Sequence, residues 1–311
     1  MEAGDRKIIL VTRRTRLQEL VARYNTVEQA RFQAEHLGMD FDDFLQEDRL
    51  YQQAIASVSA TLQRQGKLQR LDRGFLPNFL FPRDALVVVV GQDGLVANTL
   101  KYLAGQPVLA INPDPARWEG VLLPFQVEDL GRVLPEALRD TRATREISMA
   151  RVQLSDGQTL LAVNDFFVGV RSHVSARYEI ALGDRQERQS SSGIIISTGL
   201  GSTGWLRSVL TGAHAVTGKD ADKRMHEVRT RGMAWESREL VFNVREPYPS
   251  RSTGAGLVFG RITQAQPLRV RSLMPENGVI FSDGIEADGL DFKSGLEAVI
   301  GLDARSGRLL Q

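Results

Sequence analysis

The sequence predicts an α/β domain followed by a mostly β domain, and two observations carry that prediction. In the first half of the 311 residues, short apolar runs rich in β-branched side chains alternate with longer segments of helical periodicity. From about Thr144 onwards, short β-rich runs replace the helical segments. Alternating strands and helices favour a parallel sheet with helices on both faces, whereas a succession of short strands favours an all-β domain.

The first half supplies the elements of the α/β domain in order. Short apolar runs predict strands at Lys7–Thr12, at Leu86–Val90 and over residues 107–111. Helical spacing of apolar residues predicts helices over residues 17–37, 41–65 and 127–138, and one more that begins near Val96. We therefore predict a doubly wound, Rossmann-like domain over residues 1–142.

The second half predicts a β-sandwich-like domain over residues 143–311, with the option that its last segment returns to the first domain. Residues 144–170 have the pattern of a strand, an Asp-Gly turn and a second strand. Further β-rich runs occur at residues 176–182, 193–197, 239–244, 257–261, 267–273 and 297–302. Residues 213–237 are polar and mixed in charge, and we expect a helical or loop excursion there.

Composition excludes several functional classes. The chain has 39 basic and 38 acidic residues, and this balance argues against a protein that coats nucleic acid or an anionic membrane. It has no cysteine, which excludes disulfides and thiolate chemistry. No apolar run approaches the roughly 20 residues that span a bilayer, and the start of the chain is unlike a signal peptide. We expect a cytoplasmic protein without nucleic-acid or membrane partners.

A glycine-rich turn, Gly91-Gln92-Asp93-Gly94, follows the second predicted strand and precedes a helix. In open α/β sheets ligands bind at the carboxyl ends of strands, where helix N-termini offer N–H groups to anions and glycines let the backbone approach a phosphate. A carboxylate at such a place repels phosphate, but it can accept a proton from an attacking hydroxyl or hold a metal that bridges phosphates. The alternative is a tight turn in which Asp93 caps the next helix.

A second glycine-rich segment, "SSSGIIISTGLGSTGWLRS", occupies residues 190–208. A buried strand leads into a loop that carries Gly199, Gly201 and Gly204 among hydroxyl side chains, with Trp205 beside them. Hydroxyls, free N–H groups and an aromatic ring suit a ribose, a phosphate and a stacked base. A hairpin or linker is the alternative, but a linker need not follow a buried strand.

Together these two segments resemble the NAD kinase family, which has Gly-Gly-Asp-Gly-Thr after a strand and a Gly-Ser-Thr-rich loop in a β domain. The remaining chain is similar to the mitochondrial-type branch of that family. The segments that carry this similarity are "INPDPARWEG" (111–120), "VNDFFVG" (163–169), "SARYEI" (175–180), "VFNVREP" (241–247) and "FSDGIEADGLDF" (281–292). Their number and order extend the resemblance over nearly the whole chain.

The resemblance implies an enzyme that phosphorylates the 2′-hydroxyl of the adenosine ribose of NAD(H). It implies ATP or polyphosphate as the phosphoryl donor, Mg²⁺ or another divalent cation as cofactor, and a homodimer or higher homo-oligomer. Asp93 matches the family aspartate that accepts the proton of the 2′-hydroxyl.

The same resemblance implies a set of cofactor-binding residues. They are Gly91, Gly94, Asn164, Asp165, Thr198, Gly201, Ser202, Thr203, Gly204, Trp205, Ser208 and Asp283. No metal-ligating residue is implied, and the four histidines have no zinc-like spacing.

Two departures from the family pattern leave other functions open. Gln92 stands in place of the second glycine of the motif, and Leu95 in place of its threonine, so that an apolar group would face the anion. A catalytically weak or inactive NAD(P)-binding protein is one alternative. A lipid, diacylglycerol or sugar kinase is another, because those enzymes also use a Gly-Gly-Asp-Gly turn. The Asn164-Asp165 pair favours a dinucleotide over these substrates.

Overall fold

The computed structural model describes residues 6–311, and residues 1–5, on which the expectation of no signal peptide partly rests, lie outside the described residues. The chain divides into two compact units. The first comprises the chain up to Arg145 together with Arg308–Gln311, and the second comprises Glu146–Gly307. Within residues 6–311, none of the helices combines the length and apolar content that crossing a bilayer requires.

The first unit contains a parallel sheet in the order β2 (Lys67–Asp72), β1 (Lys7–Thr12), β3 (Leu86–Val90) and β4 (Pro107–Asn112). Beside β4 lie the short β5 (Phe125–Gln126) and the last residues of β17 (Glu297–Leu310), both also parallel to β4. Every residue of β3 and β4 is buried. Continuous apolar strands of this kind occupy the centre of a parallel sheet, which has helices on both faces.

The helices of the first unit follow β1, β3 and the short β5 along the chain. They are α1 (Arg16–Tyr24), α2 (Val27–His36), α3 (Phe41–Gln63), α4 (Asp93–Leu100) and α5 (Leu130–Leu138), with short 3-10 turns at Arg73–Asn78 and Val127–Asp129. The single helix predicted over residues 17–37 is wrong, because the chain breaks between α1 and α2. Asn25 has φ of 71°, and the Thr26 side chain caps α2 by accepting from the Gln29 N–H.

The second unit consists mainly of antiparallel strands. One sheet has the order β10 (Arg185–Ser191), β9 (Ala176–Leu182), β14 (Leu268–Ser272) and β17, and β6 (Thr144–Leu154) and β7 (Thr159–Ala162) extend it from β17. The other has the order β13 (Phe259–Ile262), β12 (Leu240–Val244), β11 (Ile194–Ser197), β8 (Asp165–Val170), β15 (Gly278–Ser282) and β16 (Ile285–Asp291).

The two sheets of the second unit share one apolar core. Phe166 and Phe242 from one sheet and Tyr178 and Val270 from the other belong to the same buried cluster. The opposite face of the β8-containing sheet is partly covered by α6 (Trp205–Thr217) and α7 (Lys223–Arg231), whose apolar side chains pack near Val241. The predicted fold class, a parallel α/β domain followed by an antiparallel β domain, is confirmed.

Candidate functional site

The turn after β3 is compact because α4 begins directly after Gln92, which is its N-terminal cap residue. The backbone of Gln92 is extended, with φ of −133° and ψ of 166°, and the Gln92 carbonyl accepts from the N–H groups of Leu95 (2.8 Å) and Val96 (3.3 Å). A Cβ atom on Gly91 would lie 2.8 Å from the Leu95 side chain, so only glycine fits without a shift. Asp93 thereby becomes the first residue of α4, at the end of the helix that favours anions.

Leu95 does not occupy the position that the sequence predicts for it. Its side chain is only 1% exposed and closes over Gly91, so it does not present an apolar group to an anion at the turn. Gly94 is exposed, and nothing lies within 4 Å of the place where its Cβ would stand. The open part of this turn therefore consists of Gly94 and the side chains of Gln92 and Asp93.

One oxygen of the Asp93 carboxylate is held by the loop that follows β4. The Leu122 N–H donates to Asp93 Oδ1 at 2.6 Å. Asn112 closes this loop, because its Nδ2 donates to the Trp118 carbonyl at 2.9 Å and its Oδ1 accepts from the Asp114 N–H at 3.1 Å. The arrangement fixes the orientation of the Asp93 carboxylate, and Oδ2 accepts no hydrogen bond within residues 6–311, which leaves it available to a ligand.

The same loop is tied to α3 by an ion-pair network. Arg117 Nη2 lies 2.6 Å from Asp43 Oδ1, and its Nε lies 3.3 Å from Asp114 Oδ2. Asp43 also pairs with Arg16 at 2.6 Å. The hydrogen bonds from Arg117 and Arg16 lower the pKa of Asp43 to about 2, so the network persists over the whole physiological range. Residues 111–120 carry part of the family resemblance, but the sequence predicts no role for Arg117 or Leu122.

In the second unit, Asp283 organises the turn before β8. Its carboxylate accepts from the backbone N–H groups of Val163 (3.1 Å), Asn164 (2.7 Å) and Asp165 (3.3 Å). In return the Asp283 N–H donates to the Asp165 carbonyl at 3.0 Å. Asp283 therefore fixes the backbone of the Asn164-Asp165 pair that the sequence predicts to bind the dinucleotide.

The loop after β11 is also anchored on this turn. Thr198 Oγ1 donates to the carbonyls of Val163 (2.5 Å) and Asn164 (3.1 Å), and it accepts from the Gly201 N–H at 3.2 Å. Ser202 Oγ donates to the Gly199 carbonyl at 2.6 Å and accepts from the Met233 N–H at 2.7 Å. These hydroxyls hold the loop in shape.

The predicted loop residues therefore separate into two groups. Thr198, Gly201 and Ser202 are buried inside the loop. The residues that remain accessible are Thr203, Gly204, Trp205 and Ser208. Only the second group presents side-chain or backbone surface that an incoming molecule can touch.

An aromatic stack lies beside this loop, and sequence reasoning identified only one of its members. The rings of Phe167 and Trp205 are stacked, with centroids 5.7 Å apart and planes inclined by 16°. Phe281 approaches Phe167 at 5.0 Å, and the Arg245 guanidinium lies 5.5 Å from the centre of the Trp205 ring. Together they form an apolar platform with a cation at its border.

Two glycines make room for that platform, Gly169 on β8 and Gly193 directly before β11. A Cβ on Gly169 would lie 2.4 Å from the Phe167 ring, and a Cβ on Gly193 would lie 2.6 Å from it. Gly193 also has φ of 105°, a conformation that favours glycine. The sequence analysis did not single out these two glycines, and only the pairing of β8 with β11 shows that they are neighbours.

The Asp165 carboxyl is in an environment that opposes its ionisation. The residue is 8% exposed, and burial, with the nearby charge of Asp283 as a second cause, raises its pKa from 3.8 to about 7. No hydrogen bond to this carboxyl is formed within the described part of the chain. At neutral pH the group can therefore carry a proton and donate a hydrogen bond, which an ordinary aspartate does not.

We predict that Asp165→Asn makes the protein more stable above pH 7 and changes little near pH 4. Between pH 4 and 7 the folded chain keeps a proton that the unfolded chain has lost. The contribution of Asp165 to the free energy of unfolding is therefore full below about pH 4 and is lost as pH rises through about 7. The amide has no such loss, and the difference at pH 8 should be on the order of 4 kcal/mol.

Urea unfolding of the parent and the variant at about pH 4.5 and about pH 8 checks this sign. Asp184→Asn serves as the control, because Asp184 is exposed on the same unit. Equal effects of the two substitutions at both pH values would contradict the raised pKa of Asp165.

The described residues contain no cluster of three or more His, Asp or Glu side chains that could hold a metal ion. A Mg²⁺ ion at a phosphate site commonly uses one or two carboxylates together with substrate phosphates and water. The free oxygen of Asp93 fits that mode as a single protein ligand. The donor set does not fit a metal bound by protein side chains alone.

The fold and the two glycine-rich turns define a chain that joins a parallel α/β unit to an antiparallel β unit, with a carboxylate at a helix N-terminus. No family model matches the chain, and no curated protein matches it by sequence. Among solved structures, an NAD kinase from Archaeoglobus fulgidus in complex with ATP matches with a TM-score of 0.56 and 16% identity, covering 98% of this chain and 93% of that chain.

Yeast NADH kinase complexed with NADH matches with a TM-score of 0.57 and 13% identity, covering 98% of this chain and 83% of that chain. The chain thus has the fold of the NAD kinases over nearly its whole length. At these identities the likeness establishes the fold, and the resemblance to the mitochondrial-type branch stays a prediction.

Proposed function

We propose that this chain is a member of the NAD kinase family that transfers a phosphoryl group from ATP to the 2′-hydroxyl of the adenosine ribose of NAD(H). The observation that carries the proposal is the Asp93 carboxylate at the start of α4. It stands after a glycine turn on a buried parallel strand, with one oxygen held by the Leu122 N–H and the other free. The likeness of the fold to NAD and NADH kinases supports the same assignment.

Asp93 is the group that we propose to accept the proton of the attacking hydroxyl. Because the Leu122 N–H fixes Oδ1, the free Oδ2 has a defined direction, and a positioned base needs no reorganisation during the reaction. The exposed Gly94 backbone lets phosphate oxygens approach the N-terminus of α4. A Mg²⁺ ion bound with the ATP phosphates would neutralise charge that develops on them.

The acceptor nucleotide is assigned to the second unit. We propose that Asn164, Asp165 and the accessible residues Thr203, Trp205 and Ser208 contact the adenosine part. Gly204, which is also exposed, allows close approach of the ligand to the backbone of this loop. The other predicted residues of this unit support nucleotide binding indirectly, because they hold the binding segments in place. Their hydrogen bonds and burial indicate this role for Asp283, Thr198, Gly201 and Ser202.

An NAD(P)-binding protein with weak or no catalysis is the second candidate function. Gln92 favours it, since this long side chain stands at the open part of the turn and makes no capping hydrogen bond to the helix. Burial of Leu95 works in the other direction, because the apolar group is removed from the open surface. A lipid, diacylglycerol or sugar kinase would lack a use for the Asn164-Asp165 turn.

Incubation of the purified protein with ATP, Mg²⁺ and either NAD or NADH tests the proposal. We expect NADP or NADPH to form, measured by a dehydrogenase specific for the phosphorylated product, and polyphosphate replaces ATP in a parallel reaction. Calorimetric titration with NAD measures binding separately from turnover. Binding without product would favour the NAD(P)-binding protein, and absence of binding to both NAD and NADP would exclude both dinucleotide functions.

We predict that Gln92→Gly raises kcat/KM for ATP roughly tenfold or more and changes NAD affinity little. The substitution removes a side chain from the place where phosphate would approach, and glycine is well tolerated before a helix. One recovered charge-assisted hydrogen bond, worth about 1.5–3 kcal/mol, accounts for a gain of this size. Steady-state kinetics with varied ATP measure it.

Gln92→Ala is the matched control for this prediction, because φ at this position does not require glycine. Both substitutions should act alike if the side chain is the obstruction. An unchanged kcat/KM in both variants would show that Gln92 is a tolerated residue of the phosphate site.

A further inference from the structure

A charged cavity lies at the end of the first unit's sheet where the parallel strands begin. It has a volume of about 290 Å³ and stands next to the starts of β1 and β4. Its lining contains the arginines Arg6, Arg83, Arg139 and Arg308 and the aspartates Asp84 and Asp140. The Gly91 turn lies at the opposite, carboxyl ends of the same strands, so this cavity is separate from the site described above.

Part of the positive charge has a structural role. The Arg6 Nε donates to the Asp84 carbonyl at 2.7 Å, and its Nη1 donates to the carbonyls of Ala137 (2.9 Å) and Leu138 (3.0 Å) at the end of α5. Arg308 makes two longer contacts of 3.4 Å, to the Gly105 carbonyl and to Asp140 Oδ1. Cations commonly satisfy the last carbonyls of helices in this way.

The other two arginines of the lining have no such structural role. Arg83 and Arg139 are exposed, and neither guanidinium group forms a hydrogen bond or ion pair within residues 6–311. Arg6 and Arg308 are close enough to repel each other. Burial chiefly, and the charge of Arg308 in addition, lower the pKa of Arg6, although Asp140 and Asp84 act against this. An anion in the cavity would relieve the repulsion and give the two free guanidinium groups a partner.

We propose that this cavity binds a small molecule that carries a phosphate monoester. Guanidinium groups match the oxygens of a tetrahedral dianion with paired N–H donors, which favours phosphate over a single carboxylate. A volume of about 290 Å³ corresponds to roughly ten water molecules, enough for a phosphate and a short polyol but small for a dinucleotide. The site does not depend on the proposed kinase activity.

Calorimetric titration with glycerol phosphate at constant ionic strength tests the site, with glycerol as the neutral control and inorganic phosphate as the minimal ligand. We expect the parent to bind glycerol phosphate and not glycerol. The double variant Arg83→Ala, Arg139→Ala should lose at least tenfold in affinity while keeping its thermal stability, because neither side chain has a partner to lose. Asp84→Asn should bind more tightly, since it removes a negative charge from the lining.

The double variant Arg73→Ala, Arg251→Ala is the matched control, because it removes the same charge from exposed arginines elsewhere on the chain. It should bind glycerol phosphate as the parent does. Failure of the parent to bind either phosphate compound would overturn the proposal. So would retained affinity in the Arg83/Arg139 variant, or an equal loss in both double variants, which would mean attraction by overall charge alone.

Discussion

Asp93→Asn should lower kcat by roughly 10²–10⁴-fold and leave the fold and NAD affinity close to those of the parent. The amide oxygen can still accept from the Leu122 N–H, so the loop after β4 keeps its anchor. What the variant loses is the second carboxylate oxygen, the one free to accept a proton. Product formation under saturating ATP and NAD, together with calorimetric titration of NAD, separates the chemical step from binding.

Asp93→Ala is the informative comparison, because it removes both the base and the acceptor for Leu122. It should match Asp93→Asn in lost turnover and in addition lower the thermal stability of the first unit. A variant Asp93→Asn that retains most of the parent kcat would remove Asp93 from the mechanism. Equal stability of the asparagine and alanine variants would show that the hydrogen bond to Leu122 contributes nothing measurable.

The strands at the centre of the first sheet could be predicted from sequence because they are buried on both faces. β3 and β4 contain only apolar residues apart from Asn112, and their observed bounds match the predicted runs within a residue. β2 and β10 could not be found in the same way. Their sequences, "KLQRLD" and "RQERQSS", are mostly polar, and both strands lie at the edge of a sheet in their unit, where one side has no strand to pair with.

In the candidate site, too, some residues could be predicted from the sequence and others could not, but for a different reason. Asp93 and the Asn164-Asp165 pair were predicted because they belong to local motifs. The partners that orient them are distant in sequence. Leu122 contributes a backbone N–H, a group that almost every residue type has, so the sequence does not mark it. Asp283 is 118 positions from Asp165. Phe167 could not be predicted as a site residue, because an aromatic residue on a strand usually belongs to the hydrophobic core.

Leu95 marks the limit of inference from a motif alone. A threonine-to-leucine change in an anion-facing turn predicts an apolar obstruction. In the structure the leucine turns inward and covers Gly91, which lets the turn stay narrow without exposing the new side chain. A motif gives the identity of a side chain, but packing decides which way that side chain points.

Gly201→Ala should severely disturb the predicted dinucleotide loop. A Cβ at Gly201 would lie 2.0 Å from the Asn164 carbonyl oxygen and 2.5 Å from its carbonyl carbon. Because the clash is with backbone, no rotation of a side chain relieves it. Either the loop or the Asn164 turn must move, at a cost of roughly 2–4 kcal/mol in the free energy of unfolding.

The displacement should also weaken NAD binding by more than tenfold, since Asn164 and Thr203 would lose their relative positions. Gly212→Ala is the matched control: Gly212 lies in α6 of the same segment, with nothing within 4 Å of its Cβ position. There alanine should stabilise the helix by about 1 kcal/mol and leave NAD affinity unchanged. Urea unfolding and calorimetric titration of both variants measure the two effects independently.

A Gly201→Ala protein as stable as the parent would mean that the loop does not pack on Asn164. A destabilised variant with undiminished NAD affinity would instead separate the packing from the binding, and the assignment of this loop to the nucleotide would be lost.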